Sequence, residues 1–227
     1  MDGLFENVMV SFAPMSNCPV WKVDPARPEA TAIDAAAALV REGGVIVYPT
    51  ETFYGLGGDP MREAAIEHIF QIKGRSFHKP LPLIASRMDS LRSAVGDWPS
   101  TAQKLAGAFW PGPLTLILPA SPALPSTLHA QTGKIAVRIS SHPVATALAA
   151  AVGGLLISTS ANTSGEPACS NPEDLSESLL HRVDGVLHGG RLPGGAPSTI
   201  VDVSVRPPRL VREGVLPWDE VKNRCEA

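Results

Sequence analysis

The sequence predicts a single domain that mixes α and β structure, and three observations predict it. Short apolar runs of β-formers, each stopped by Pro, Gly or a polar turn, alternate with Ala- and Leu-rich stretches of helical period. The 227 residues fit one large domain, and no repeat or long linker divides them. The 22 Pro and 20 Gly are spread along the whole chain, which implies many stiff, specially shaped loops. Both α/β and α+β organisation fit this mixture.

In order along the chain, residues 1–29 form a Pro-containing leader without an assigned role, 30–216 the domain, and 217–227 a tail. A helix at 31–42 is capped by Thr31 and ended by Gly43-Gly44. Val45 to Tyr48 is a buried strand stopped by Pro49. Asp59-Pro60 supplies a cap and a first-turn proline, so the next helix is expected over 60–73, with Gly74 closing it. A strand at 81–85, helices at 86–94 and 100–109, and a strand at 114–118 follow. Trp110-Pro111-Gly112-Pro113 reads as a rigid corner with its Trp in the core. Next come a strand at 134–139, a helix at 143–152 and a buried strand at 155–159. The last part holds a helix at 172–181, a strand at 183–187, a Gly/Pro loop at 189–197, and strands at 199–203 and 209–212.

Composition excludes several classes. With 44% hydrophobic and 18% charged residues the chain is neither disordered nor a coiled coil. Its formal charge of −3 excludes a general polycationic coat for nucleic acid, so any basic surface must be local. Cys18, Cys169 and Cys225 are odd in number and far apart, which fits a reduced, cytoplasmic setting. The apolar stretch at 8–15 is broken by Ser11 and Pro14, unlike a signal peptide or a membrane span. There is no G-x-x-x-x-G-K-[ST] and no G-x-S-x-G, and Gly55-Leu56-Gly57-Gly58 lacks dinucleotide spacing. His129, His142, His181 and His188 have no metal-ligand spacing.

The informative residues follow directly on buried strands or helix ends, where loops converge on a crevice. Lys73 and Arg75 flank Gly74 and can face one anion, Arg as a fork and Lys as a point charge. Equally, they can be solvated bases that complement a helix dipole. Ser158-Thr159-Ser160-Ala161-Asn162 offers three hydroxyls and an amide for phosphate or ribose oxygens. It can as well be a turn that satisfies its own backbone. Thr50-Glu51-Thr52 after Pro49 and Ser198-Thr199 after Pro197 are the other two such places.

Taken as an ordered set, these segments resemble the YrdC-type L-threonylcarbamoyladenylate synthases, over about 30–214. The matching elements are Tyr48-Pro49-Thr50-Glu51-Thr52-Phe53-Tyr54-Gly55-Leu56-Gly57, Lys73-Gly74-Arg75, Trp110-Pro111-Gly112-Pro113-Leu114-Thr115, Ala136-Val137-Arg138, His142-Pro143, Ser158 through Gly165, Pro197 through Asp202, and Arg212-Glu213-Gly214. Phe53 departs from the Val or Ala more usual in the family. The resemblance implies a twisted mixed sheet surrounded by helices, with a large, basic, concave cavity. It implies an enzyme that makes threonylcarbamoyl-AMP and pyrophosphate from L-threonine, bicarbonate and ATP, for the modification of tRNA adenosine 37.

Residue by residue, the resemblance places Lys73, Arg75, Ser160 and Asn162 at the catalytic nucleotide and bicarbonate site. Ser158 and Arg212 join them in binding ATP, and Thr50, Arg138 and Ser198 line the threonine pocket. Mg²⁺ is expected to enter with ATP, because the sequence offers no carboxylate cluster for a protein cage. Glu51 or Asp59 is a candidate to touch it. Loop 189–197 is a candidate lid. A downstream threonylcarbamoyl-transferase complex is the implied partner, with weak tRNA or RNA contact as a further expectation. The alternatives are a non-catalytic RNA-binding module that uses the same cavity, and carbamoyl transfer to another acceptor. The hydroxyl-rich turn and an aromatic content of 5% favour a small-molecule pocket over the RNA module.

Overall fold

The computed structural model describes residues 18–74 and 79–226. Along the chain run β1 (Val20–Lys22), α1 (Ala30–Arg41), β2 (Ile46–Tyr48), β3 (Gly55–Gly57), α2 (Glu63–Lys73), β4 (Leu83–Ala85), α3 (Met88–Leu91), α4 (Ser100–Phe109) and β5 (Leu114–Pro119). Then come β6 (Lys134–Arg138), α5 (Pro143–Ala151), β7 (Leu155–Ile157), β8 (Thr159–Ser160), a 3₁₀ turn (Pro172–Asp174), α6 (Glu177–Leu180), β9 (Gly185–His188), β10 (Thr199–Asp202), β11 (Arg209–Arg212) and α7 (Trp218–Glu226). The strands form two mixed sheets, in the orders β1-β9-β2-β3-β8 and β11-β10-β5-β6-β4-β7. Parallel pairs such as β2 with β9 and β5 with β10 sit beside antiparallel pairs such as β2 with β3 and β5 with β6. The mixed α/β class of the sequence reading is therefore the observed one.

Alternation along β2 divides the core. Val47 joins the large apolar cluster that links both sheets with α2 and α4, whereas Ile46 and Tyr48 join a second cluster under α1 and α5. Helix α1 presents Ala32, Ile33, Ala36, Ala37 and Val40 to that second cluster, the spacing of one helical face. Strand β3, with two glycines, has no β-former pattern to reveal it. Its glycines answer to packing: a Cβ on Gly57 would lie 2.7 Å from Cε1 of the buried Tyr48 ring, which crosses the paired strand.

Several boundaries differ from the sequence reading for identifiable reasons. Asp59 does not start α2. Its Oδ1 accepts the Met61 N–H at 2.8 Å and its carbonyl accepts the Arg62 N–H, which closes a separate turn and leaves α2 to begin at Glu63. Gly74 ends that helix as expected, with φ 58°. The expected strand 155–159 breaks at Ser158, because Ile157 pairs with Leu83 in one sheet and Thr159 with Leu56 in the other. The expected helix 172–181 splits because Leu175, buried in the core, takes an extended conformation between the 3₁₀ turn and α6. Within the leader, Val20–Lys22 pairs in parallel with β9. Within the tail, α7 packs on α4 and buries Val221 completely, worth about 1.5 kcal/mol of apolar transfer.

Strand β10 also carries a buried ionic cluster. Asp202, 2% exposed, accepts from Lys134 Nζ at 3.0 Å, from Ser204 Oγ at 2.6 Å and from the Ser204 N–H at 3.0 Å. Burial pulls its carboxyl pKa upward, but the Ser204 and Lys134 contacts outweigh it and hold the group below its usual value of 3.8. A depressed carboxylate stabilises the fold above its unfolded pKa and loses that contribution as pH falls through the folded value. Asp202→Asn should therefore cost about 1–3 kcal/mol at neutral pH. Urea denaturation should show the difference from wild type closing once the pH is taken below 3.8; a pH-independent difference would contradict the ionic account.

Candidate active site

A cavity of about 540 Å³ opens where the two sheets meet, and every described residue assigned above to the nucleotide or threonine site lies on its wall: Thr50, Lys73, Arg138, Ser158, Ser160, Asn162, Ser198 and Arg212. Arg75 lies outside the described residues. The break of 155–159 at Ser158 accounts for part of this convergence. As the chain crosses between sheets, its polar residues are delivered to the gap, with the Ser158 N–H bonded to the Pro82 carbonyl at 2.8 Å.

Lys73, the last residue of α2, is only 3% exposed. Its ammonium donates to the Ser160 carbonyl at 2.7 Å, the Asn162 carbonyl at 2.8 Å, Asn162 Oδ1 at 2.7 Å and Ser160 Oγ at 3.2 Å. Four oxygens thus share three N–H groups. Ser160 Oγ donates to Asn162 Oδ1 at 2.5 Å, and the Ser164 N–H returns to the Lys73 carbonyl at 3.0 Å. Lys73 is accordingly not a solvated helix-end base. The 158–162 segment is a turn, closed by the Asn162 N–H on the Ser160 carbonyl, and it also lines the cavity.

Across the cavity are two guanidiniums. Arg138, at the end of β6 and 8% exposed, has Nη1 3.3 Å from Glu51 Oε1. Arg212, at the end of β11, donates from Nε and Nη2 to the Ser198 carbonyl at 3.2 and 2.9 Å. Burial and then the neighbouring Arg138 charge lower the Arg212 pKa. Thr115 Oγ1 lies 2.9 Å from Ser198 Oγ, which places a buried hydroxyl pair beside Arg212. Thr50 folds its own loop: Oγ1 donates to the Phe53 carbonyl at 2.7 Å and lies 3.3 Å from Thr52 Oγ1.

Sequence reasoning missed the wall positions Thr115, Lys79 and Glu166. Thr115 stood in a matched motif, so its position was visible there although its contact with Ser198 was not. Of the carboxylates considered for Mg²⁺, Asp59 is held in its own turn, and Glu51 is engaged by Arg138 and Ser140. Neither fits a metal ligand, and no group of three His, Cys, Asp or Glu comes together among the described residues. Loop 189–197 is also pinned at three points, which is a poor basis for a lid. Tyr54 OH donates to the Gly190 carbonyl at 2.7 Å and accepts the Gly189 N–H, the Leu192 N–H reaches Ser170, and the Gly194 N–H reaches Thr52.

Comparison with known proteins agrees in extent with this arrangement. The Sua5, YciO and YrdC family model, described as telomere recombination, matches residues 38–214. A threonylcarbamoyl-AMP synthase of Stenotrophomonas maltophilia is 43% identical over 159 residues, 69% of this chain and 86% of that protein. One of Pyrococcus abyssi is 35% identical over 196 residues, 86% of this chain, but this chain spans only 58% of its length. The crystal structure of P. abyssi Sua5 complexed with L-threonine superposes with a TM-score of 0.86 at 34% identity, covering 90% of this chain and 60% of that one.

Because Lys73 fastens α2 to the 160–162 turn, its removal should disturb the fold as well as the cavity. Lys73→Ala strands several buried oxygens and should cost about 2–4 kcal/mol in urea denaturation, against about 1 kcal/mol for Ser160→Ala. Equal midpoints for Lys73→Ala and wild type would show that the ammonium carries no structural load.

Proposed function

The chain belongs to the Sua5, YciO and YrdC family, and from that premise we propose that it is an L-threonylcarbamoyladenylate synthase. L-Threonine, bicarbonate and ATP would give threonylcarbamoyl-AMP, pyrophosphate and water. The threonine amino group adds to bicarbonate-derived CO₂; a carbamate oxygen then attacks the α-phosphorus of ATP, and the bond to the bridging oxygen breaks as pyrophosphate leaves. The observation that carries this reading is one cavity with two separate cationic regions, Lys73 fixed on the Ser160–Asn162 turn, and the buried Arg138 with the more exposed Arg212. A substrate pair bearing a polyphosphate and a distinct carboxylate suits that layout.

Displacement at phosphorus needs positioning and charge neutralisation more than a general base. Lys73, with Arg75, would face the phosphates, while Ser158, Ser160 and Asn162 offer uncharged donors and Arg212 a further cation. Arg138 would take the threonine carboxylate as a fork, with Thr50 and Ser198 beside it. Mg²⁺ is best treated as part of the ATP substrate, held by phosphate and water oxygens, since the two carboxylates considered for it, Glu51 and Asp59, are already engaged.

The product is a reactive mixed anhydride, so it would be consumed by a threonylcarbamoyl-transferase complex that delivers the group to tRNA. Direct tRNA contact would be weak on a chain with 19 basic and 22 acidic residues. No helix among the described residues is long and apolar enough to cross a membrane. A cytoplasmic setting is part of this proposal because the product would be consumed in tRNA modification.

Incubation with MgATP, bicarbonate and each amino acid should release pyrophosphate with threonine. RNA binding without any turnover would favour the RNA module instead. In the same assay Arg138→Ala should raise the threonine KM about 10- to 100-fold, with the ATP KM within about twofold, as expected for a lost charged hydrogen bond. Arg212→Ala should act chiefly on ATP; the reverse split would exchange the two roles.

A further inference from the structure

Glu51 follows Thr50 in the cavity loop, yet its carboxylate is a partner of the protein and not part of the cavity wall. Its side chain is 12% exposed and that of Arg138 10%, with Nη1 to Oε1 at 3.3 Å. Oε1 is closed off from solvent and accepts no hydrogen bond among the described residues, so this ion contact is what engages it. Oε2 accepts the hydroxyl of Ser140, which is itself 0% exposed. Ser140 Oγ accepts the His142 N–H at 3.1 Å, and His142 Nδ1 accepts the Val144 N–H in the first turn of α5. A frame therefore runs from the start of α5 through Ser140 to Glu51 and ends on the Arg138 guanidinium.

Two physical demands meet at that frame. Arg138 and Arg212 share one cavity, and two guanidiniums in a partly desolvated space repel each other. A carboxylate beside the two guanidiniums on the cavity wall would relieve the repulsion but would also repel an anionic substrate there; the wall residue Glu166 instead accepts the Thr163 N–H. Glu51 sits behind Arg138, where it can neutralise the guanidinium and fix its direction without facing the ligand. Its contact uses one edge of a group with five donors, which leaves the remainder of the fork for an incoming carboxylate.

We propose that Glu51, held by Ser140, is the positioning residue that aims Arg138 at the carboxylate of the amino-acid substrate. The inference rests on the function proposed above and adds a second residue layer to its amino-acid site. Removing the charge of Glu51 should leave Arg138 buried but misdirected, weakening threonine far more than ATP.

The test uses the full chain, with threonine and ATP binding each followed by calorimetry and KM values taken in parallel. Glu51→Gln should weaken threonine about tenfold or more, the scale of one charge-assisted contact, and leave ATP within about twofold. Ser140→Ala should shift threonine in the same direction by less. Glu51→Asp serves if the Gln variant does not fold; it should weaken threonine in the same direction and leave ATP within about twofold. Equal weakening of both ligands, accompanied by a lower melting temperature, would mean a merely structural role and overturn the proposal. Threonine affinity within about twofold of wild type in every folded variant would overturn it as well, and with wild-type turnover intact the synthase reading would survive. A wild-type protein that neither binds nor uses threonine would overturn both.

Discussion

A buried ammonium must be surrounded by oxygens, and much of this molecule is arranged to meet that demand at Lys73. Helix α2 has to end at Gly74 for Lys73 to point back into the protein, and the left-handed φ of 58° there provides the stop. The chain crossing from β7 to β8 has to bring Ser160 and Asn162 within 3.2 Å of Nζ, which it does by changing sheets at Ser158. Pairing of β8 with β3 needs a strand thin enough to pass the Tyr48 ring, hence the glycines of β3. The same neutral oxygens that replace water around the ammonium leave a single positive charge fixed at the edge of the cavity.

The opposite wall solves a related problem by different means. Arg138 is balanced by Glu51 from behind, whereas Arg212 is spread over the carbonyl and hydroxyl of Ser198. On that wall one cation is thus paired with a full charge and the other with dipoles. The result is a cavity whose cations are held in place before any ligand arrives, so that little reorganisation remains to be done when anionic substrates enter. Gly214 belongs to the same design, since a Cβ there would lie 2.0 Å from the Pro197 carbonyl and push apart the loop that carries Ser198.

Much of this was legible in the sequence, and the exceptions have a common origin. Long periodic elements such as α4 and α1, and β-branched or leucine runs such as β5 and β10, announce themselves through local pattern. Thr50, Lys73, Ser158, Ser160, Asn162 and Ser198 stood out by their place beside strand or helix ends, whereas Arg138 and Arg212, which lie within strands, came only through the family resemblance. What local pattern cannot carry is a long-range contact. Asp59-Pro60 has the chemistry of a helix start, but the side chain closes a turn one step earlier. Leu155 to Thr159 reads as one strand because nothing in its composition records that its two halves meet different partners. Lys73 looks like any helix-terminal base until Ser160 and Asn162, far along the chain, are brought to it. Glu51 was visible as a residue, while its role depends on Arg138 and Ser140 at the end of β6 in the other sheet.

The central claim is that one preformed cavity receives a polyphosphate at Lys73 and a carboxylate at Arg138. A crystal structure of the full chain with MgATP analogue and L-threonine tests it most directly. The account predicts phosphate oxygens within hydrogen-bond reach of the Lys73, Ser160 and Asn162 cluster, and the threonine carboxylate on the Arg138 fork with Glu51 still behind it. A nucleotide bound elsewhere, or threonine bound with its carboxylate away from Arg138, would contradict it.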